Sequence, residues 1–134
     1  MNQNSNKAMN LNFIVVDDDH ISNLLCRKII KNVFPGSDVQ TFTDPNTALA
    51  HITAIYENSK DRHGTLFLDI DMPILTGWDV LEAFDRFDTR VKERLKIYML
   101  SSSVDQRDKD RAAKNKNVCG YLEKPLSKEH LRKM

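Results

Sequence analysis

The sequence predicts a doubly wound α/β fold, in which a five-stranded parallel sheet carries helices on both faces. Short apolar runs alternate with longer segments whose apolar residues recur at helical spacing. Turn and cap signals separate the segments. Neighbouring parallel strands are joined by right-handed crossovers, and a helix between each pair of strands provides such a crossover.

Length and composition indicate one domain and name no partner. The 134 residues are 40% hydrophobic and 29% charged, with a formal net charge of +1, which predicts no bulk attraction to nucleic acid or membrane. No apolar run approaches the roughly 18 residues of a membrane span. The two cysteines lie far apart, so we expect a reducing, cytoplasmic location. The four histidines lack metal-ligand spacing, which disfavours a zinc site.

The domain is expected to occupy 11–134, after a polar, asparagine-rich leader at 1–10 that is expected to be disordered. FIVV at 13–16 predicts the first strand. The first helix is predicted at 20–34, with Asp19 as its cap. Five apolar residues recur there at helical spacing: Ile21, Leu24, Leu25, Ile29 and Val33.

A Pro-Gly pair ends that helix, and VQTF at 39–42 predicts the second strand. Asp44 supplies an N-cap and Pro45 the first helical position of a second helix that continues through 46–58. LFLDI at 66–70 predicts the third strand.

The third helix is expected from Trp78 to about Phe87. The last two strands are predicted from IYML at 97–100 and GYLE at 120–123. Strands and helices therefore continue to alternate along the chain.

Cap signals predict the last two helices. Ser103 with Gln106 forms a capping-box pattern for a fourth helix that runs to about Lys116. Ser127 is expected to cap a short final helix that ends at Met134.

Polar side chains follow the predicted strands at one edge of the sheet. In a sheet of order 2-1-3-4-5, ligands bind where the strand order reverses, next to the first and third strands. This order brings Asp17 or Asp18 close to Asp69. Two carboxylates about 4 Å apart repel by about 4 kcal/mol at an effective dielectric near 20. The oxygen ligands favour Mg²⁺ as the neutralising ion, with Mn²⁺ as a substitute.

The fourth and fifth strands add a donor and a charge to this edge. Ser101 supplies a hydroxyl and Lys124 a mobile cation. A carboxylate such as Asp69 beside a cation, a lysine and a hydroxyl is suited to attack phosphorus and hold an acyl phosphate. The predicted chemistry is phosphoryl transfer.

Four motifs at these strand ends resemble the receiver domains of response regulators in two-component signal transduction. They are VVDDD at 15–19, LDIDMP at 68–73 with Gly77 following, MLSSS at 99–103 and GYLEKP at 120–125. Each is common alone, but the four in this order are specific and span the whole domain. The chain is similar to single-domain, chemotaxis-regulator-like receivers, which implies the flavodoxin-like strand order 2-1-3-4-5.

The resemblance implies the roles of the acidic residues. Asp69 is the expected phosphoacceptor. Asp18, Asp69 and the backbone carbonyl of Asp71 are the expected ligands of Mg²⁺, and Asp17 is expected to act on the ion through water. Asp71 lies where the family varies freely, so it is also expected to tune the lifetime of the phosphoryl group.

The resemblance also implies how phosphorylation is sensed. Lys124 is expected to pair with the phosphoryl group, and its bond to Pro125 to be cis. Ser101 is the expected switch hydroxyl, and Tyr121 the aromatic that moves into the space it leaves. Ser103 is a second expected rate-tuning position. The last helix is shorter than the three turns usual in the family, which fits a short or truncated C-terminus.

The expected function is therefore that of a phosphorylated signalling switch, which catalyses only its own phosphorylation and dephosphorylation. The implied donor is a histidine kinase or a phosphotransfer protein, and the recipient a downstream protein target. Direct binding to DNA or membrane is not expected, and the chain is expected to be a monomer or weak dimer.

Two alternatives stay open. A pseudo-receiver would keep the fold as an interaction module without the chemistry. A phosphatase of the haloacid dehalogenase type also uses an Asp-x-Asp motif, as in LDID at 68–71, but there the motif ends the first strand rather than the third.

Overall fold

The structure, a computed structural model, describes residues 11–134. The disordered leader expected at 1–10 lies outside these residues. Along 11–134, none of the helices combines the length and the apolar character needed to cross a membrane.

Five parallel strands form one sheet in the order β2-β1-β3-β4-β5, which confirms the predicted order. The strands are β1 (Asn12–Val16), β2 (Asp38–Phe42), β3 (Gly64–Asp69), β4 (Leu95–Ser101) and β5 (Val118–Glu123). The central strands are continuous apolar runs because helices cover both of their faces. β1 pairs with both β2 and β3, so the strand order reverses beside it.

The helices of 11–134 lie on both faces of the sheet, as predicted. They are α1 (His20–Val33), α2 (Pro45–Tyr56), α3 (Gly77–Asp85), α4 (Thr89–Arg94), α5 (Gln106–Lys114) and α6 (Lys128–Arg132). On one face, α1 and α6 bury Cys26, Ile30 and Leu131. The other helices bury the second core cluster, which includes Ile52 and Phe84.

Three predicted caps are confirmed. Asp19, Asp44 and Ser127 each accept a backbone N–H of the first turn that follows, and Pro45 is the first residue of α2. Short side chains with an oxygen near the backbone satisfy donors that lack partners within the helix.

The predicted cap of α5 is wrong. Asp105, not Ser103, caps this helix, and its carboxylate accepts the N–H of Arg107 at 2.8 Å. Ser103 lies in the loop before the helix, and its carbonyl instead accepts hydrogen bonds from two side chains. The helix also ends at Lys114, two residues earlier than predicted.

Other differences concern short elements and boundaries. The sequence did not predict α4, since its six residues bury only Val91 and are too short to show a periodicity. α3 begins one residue before Trp78 and ends at Asp85, and α6 ends at Arg132.

The five apolar residues predicted on α1 are divided between the core and the surface, and two of them pack against a core cluster. Ile21, Leu24 and Leu25 are each more than half exposed, whereas Cys26 and Ile30 are buried. The apolar periodicity in this helix therefore marks a surface as well as a core.

Candidate functional site

Three carboxyl groups meet where the strand order reverses. Asp17 and Asp18 follow β1, and Asp69 ends the neighbouring strand β3. One carboxylate oxygen from each lies within 4.8 Å of the other two. Asp17 and Asp69 are buried, while Asp18 is exposed. The acid cluster, as we call these three residues, is thus enclosed on two sides and open to solvent on the third.

Lys124 is the cation of this site. Its Nζ lies 2.6 Å from Oδ2 of Asp17 and 3.4 Å from Oδ1 of Asp69. The backbone N–H of Lys124 donates to the carbonyl of Ser101 at 2.8 Å, and its bond to Pro125 is cis, as the resemblance implied. Burial acts to lower the pKa of Lys124, but the hydrogen bond and charge of Asp17 and the charge of Asp69 outweigh it and raise the pKa.

The carboxyl group of Asp69 has a raised pKa. Burial raises its pKa to about 6, and the negative charge of Asp17 acts in the same direction. Lys124 and the N–H of Asp71, which donates to Oδ1 of Asp69 at 3.2 Å, oppose this rise only in part. Burial and the charge of Asp17 together therefore disfavour the ionised form of Asp69.

These residues fit a divalent cation. One ammonium group faces three carboxyl groups that come within 4.8 Å of one another. All the donors are oxygens, and the open side at Asp18 leaves room for water, which suits Mg²⁺. Bound there, the ion would favour the ionised form of Asp69, which burial and Asp17 disfavour.

The predicted switch residues meet at one carbonyl. Ser101, at the end of β4, is buried and donates its hydroxyl to the carbonyl of Ser103 at 2.7 Å. Tyr121, on the neighbouring strand β5, donates to the same carbonyl at 3.3 Å. The hydroxyls of Ser101 and Tyr121 thus share one neutral acceptor, the carbonyl of Ser103, which is itself a predicted rate-tuning residue.

Gly77 brings α3 against the acid cluster. Its N–H donates to the carbonyl of Ile70 at 3.0 Å. A Cβ atom at this position would lie 2.7 Å from the carbonyl oxygen of Asp69 and 3.0 Å from Cα of Ile70. Any larger residue would push the helix away from the strand end that carries Asp69.

Sequence reasoning missed Asn23. This buried residue of α1 donates its amide to the carbonyls of Asp17 and Phe42. The signal was present, because Asn23, Cys26 and Ile30 share the buried face at helical spacing. A polar residue on a core face calls for partners.

Two cavities lie away from the acid cluster. One of about 400 Å³ is lined by Trp78, Arg111 and Asn117, between α3 and the end of α5. Another of about 600 Å³ lies beside Val91 and Arg94 of α4. Neither of the two is lined by a residue of the acid cluster.

The comparisons with known proteins agree with this geometry. Residues 13–134 match the response regulator receiver domain family. The chain belongs to this family. The receiver fold is also found in a two-component response regulator from Cytophaga hutchinsonii, with a TM-score of 0.83, 28% identity and 92% of each chain covered. A response regulator receiver protein from Dyadobacter fermentans matches with a TM-score of 0.82 and 27% identity, over 92% of this chain and 93% of its own.

Two curated relatives match parts of the receiver. Stress response regulator protein 1 of Clavispora lusitaniae is 30% identical over 69 residues, which is 51% of this chain and 33% of the relative. Hybrid signal transduction histidine kinase L of Dictyostelium discoideum is 32% identical over 87 residues, which is 65% of this chain and 4% of the relative. The chain therefore spans a third or less of the length of these relatives. Its family shows that it is a receiver domain of two-component signalling.

Proposed function

We propose that this receiver accepts a phosphoryl group on Asp69 from a phosphohistidine, with Mg²⁺ as its cofactor, and that phosphorylation changes its protein-binding surface. The observation that carries the proposal is the buried Asp69 carboxyl, with a pKa of about 6, between two further carboxyls and the Lys124 ammonium. A group poised in this way is typical of a reactive site.

The transfer needs one bond to form and one to break. A carboxylate oxygen of Asp69 attacks phosphorus, the P–N bond to the donor imidazole breaks, and its electron pair leaves with the imidazole. Negative charge develops on the phosphoryl oxygens, where Lys124, now 3.4 Å from Asp69, stabilises it. Hydrolysis later returns Asp69 to a carboxylate and releases phosphate.

Asp18, Asp69 and the backbone carbonyl of Asp71 would hold Mg²⁺ directly, with Mn²⁺ as a substitute. Asp17 would act through water, since one of its carboxylate oxygens already accepts the N–H of Asp19 at 2.9 Å and the other faces Lys124 at 2.6 Å. The ion supplies charge that offsets the repulsion between the acids and the phosphoryl oxygens.

The phosphoryl group then competes for the Ser101 hydroxyl. It carries about −1.5 to −2 charges and three strong acceptor oxygens, whereas the carbonyl of Ser103 is neutral. Ser101 exchanges its bond to Ser103 for one to the phosphoryl group, and Tyr121 moves into the space that it leaves. The loop before α5 changes shape as a result. Asp71 and Ser103 flank this exchange and set the lifetime of the phosphoryl group.

Several large apolar side chains are exposed on α1 and in two loops at the carboxyl ends of the strands. Ile21, Leu24 and Leu25 of this helix are more than half exposed, and so are Ile74 and Val104 in the loops that follow β3 and β4. Large exposed apolar side chains at the same end of the sheet as the site favour contact with a protein partner. We assign this contact to the donor, a histidine kinase or a phosphotransfer protein whose histidine must reach Asp69.

The last component of the proposed pathway is the recipient of the signal. The recipient is a downstream protein target rather than DNA or membrane, since the formal net charge of +1 provides no general attraction to either. The receiver acts in the cytoplasm as a monomer or weak dimer, and it catalyses only its own phosphorylation and dephosphorylation.

Intact mass spectrometry tests the acceptor. Incubation with acetyl phosphate and Mg²⁺ is expected to add the mass of one phosphoryl group to the wild type and to Asp71→Asn, but not to Asp69→Asn. Undiminished labelling of Asp69→Asn would overturn the assignment. A wild type that is never labelled would support a pseudo-receiver, and steady hydrolysis of a phosphomonoester would support a haloacid dehalogenase-type phosphatase.

A further inference from the structure

Asn23 is a buried polar residue that the phosphoryl transfer described above does not use. It is 3% exposed and lies on the core face of α1. Its Nδ2 donates to the carbonyl of Asp17 at 2.9 Å and to that of Phe42 at 3.2 Å. The N–H of Asp17 donates to the same Phe42 carbonyl at 3.0 Å. The amide of Asn23 thus ties α1 to the carboxyl ends of both β1 and β2.

The carbonyl that Asn23 holds belongs to the peptide unit between Asp17 and Asp18. Because this unit is planar, its orientation sets where Cα of Asp18 lies. The carboxylate of Asp17 is held separately, by the N–H of Asp19 and by Lys124. Asn23 therefore contributes the contact that fixes the backbone leading into the exposed acid of the cluster.

The fold alone does not explain an asparagine at this position. Within 11–134, Oδ1 of Asn23 is buried without a hydrogen-bond partner. An unsatisfied buried acceptor costs about 1–3 kcal/mol. Reversing the amide would place Oδ1 against two carbonyl oxygens, so the contacts fix its orientation. A leucine of similar size would avoid the unsatisfied acceptor but would lose the bond to Asp17.

We propose that Asn23 is a positioning residue that holds the Asp17–Asp18 peptide in the geometry that the divalent cation requires. This inference rests on the proposed function, since it concerns the same cation. Asn23 acts through the backbone of Asp17 and through the placement of Asp18. Groups that support metal ligands in this way typically change metal affinity by about 10–100-fold.

The test separates metal affinity from stability. For the wild type and Asn23→Leu, Mg²⁺ titrations followed by amide NMR shifts give the dissociation constant, and urea unfolding of the metal-free protein gives the stability. Asn23→Leu is expected to bind Mg²⁺ about tenfold more weakly. Its urea midpoint is expected to change little, because it removes one unsatisfied acceptor and creates another. Asn23→Ser keeps a hydroxyl donor, is expected to have an intermediate affinity, and serves if the leucine variant fails to fold.

Arg27 provides a matched control. It also joins α1 to β2, through a 2.9 Å hydrogen bond from Nη1 to the carbonyl of Val39. Arg27 lies one helical turn after Asn23 and makes no bond to Asp17. Arg27→Met is expected to keep the wild-type affinity for Mg²⁺. Equal affinity in Asn23→Leu and the wild type would overturn the inference, and so would an equal loss in Arg27→Met. If the proposed function itself is wrong, the wild type and Asp18→Asn will both fail to bind Mg²⁺, which distinguishes the two failures.

Discussion

The two sides of the candidate site are built in different ways. Buried carboxyl groups at the ends of β1 and β3 take part in short charged contacts, such as the 2.6 Å ion pair between Asp17 and Lys124, which follows β5. The hydroxyls of Ser101, at the end of β4, and of Tyr121, within β5, are neutral and share the carbonyl of Ser103. In the proposed function the first side, which we call the rigid side, stays in place around a cation, and the second, which we call the exchangeable side, gives up its contacts.

The free energies of these two kinds of contact support this division. Removing one partner of a buried ion pair costs about 3–5 kcal/mol, whereas a neutral hydrogen bond contributes about 0.5–1.5 kcal/mol. In the proposed function a phosphoryl group would therefore displace the contacts of Ser101 at little cost while the acid cluster stays in place. The rigid side would carry the chemistry and the exchangeable side the response.

The largest expected effect is the loss of Lys124. The Lys124→Met variant leaves the fully buried Asp17 without its cation, so the free energy of unfolding of the metal-free protein should fall by about 3 kcal/mol. Urea unfolding at neutral pH measures this change. Lys128→Met, at an exposed position of α6, is the control. An equally small loss in both variants would contradict a rigid, charge-built side.

Asp69→Asn is expected to act in the opposite direction. The pKa of Asp69 is raised from 3.8 to about 6 in the folded protein, so its ionisation at neutral pH opposes folding. Removing this charge should stabilise the metal-free protein by about 1–2 kcal/mol, after a reduction for solvent screening. Asp71→Asn, an exposed neighbour, should change the stability much less. A destabilised Asp69→Asn variant would show that repulsion does not dominate the cluster.

The same pKa predicts how Mg²⁺ binding depends on pH. As the pH falls through about 6, Asp69 takes up a proton that competes with the ion. Below that pH the affinity should fall by about tenfold per pH unit. In the metal-free protein the contribution of Asp69 to stability should instead rise as the pH falls from 6 towards 3.8. Calorimetric Mg²⁺ titrations on both sides of the pKa test this, and a pH-independent affinity would contradict it.

Tyr121→Phe should give the smallest effect on stability. It removes one neutral hydrogen bond of 3.3 Å, which contributes about 0.5 kcal/mol or less at a partly exposed position. Phosphorylation should proceed as in the wild type, while the NMR shift changes that it causes around α5 should become smaller. Loss of phosphorylation in this variant would contradict the division between the two sides.

Much of the rigid side was predictable because buried strands and their ends leave strong patterns. Asp17, Asp69 and Lys124 each follow an apolar run, and parallel strands bring such ends together. The sheet order and the cis bond before Pro125 agree with the resemblance.

The features that were missed depend on tertiary contacts. The capping-box pattern at Ser103 was misleading because the loop uses the carbonyl of this residue for Ser101 and Tyr121, and Asp105 caps the helix instead. The contacts of Asn23 include one with Phe42 of β2, which lies 19 residues away along the chain. Local periodicity contains neither kind of information.

Chemical mapping of the phosphoryl group tests whether Asp69 is the acceptor. After phosphorylation with Mg²⁺ present, borohydride reduces an aspartyl phosphate to homoserine, and peptide mass spectrometry locates the changed residue. The account predicts homoserine at position 69 alone, and none when the ion is removed by a chelator. Homoserine at position 17, 18 or 71, or labelling that survives the chelator, would contradict it.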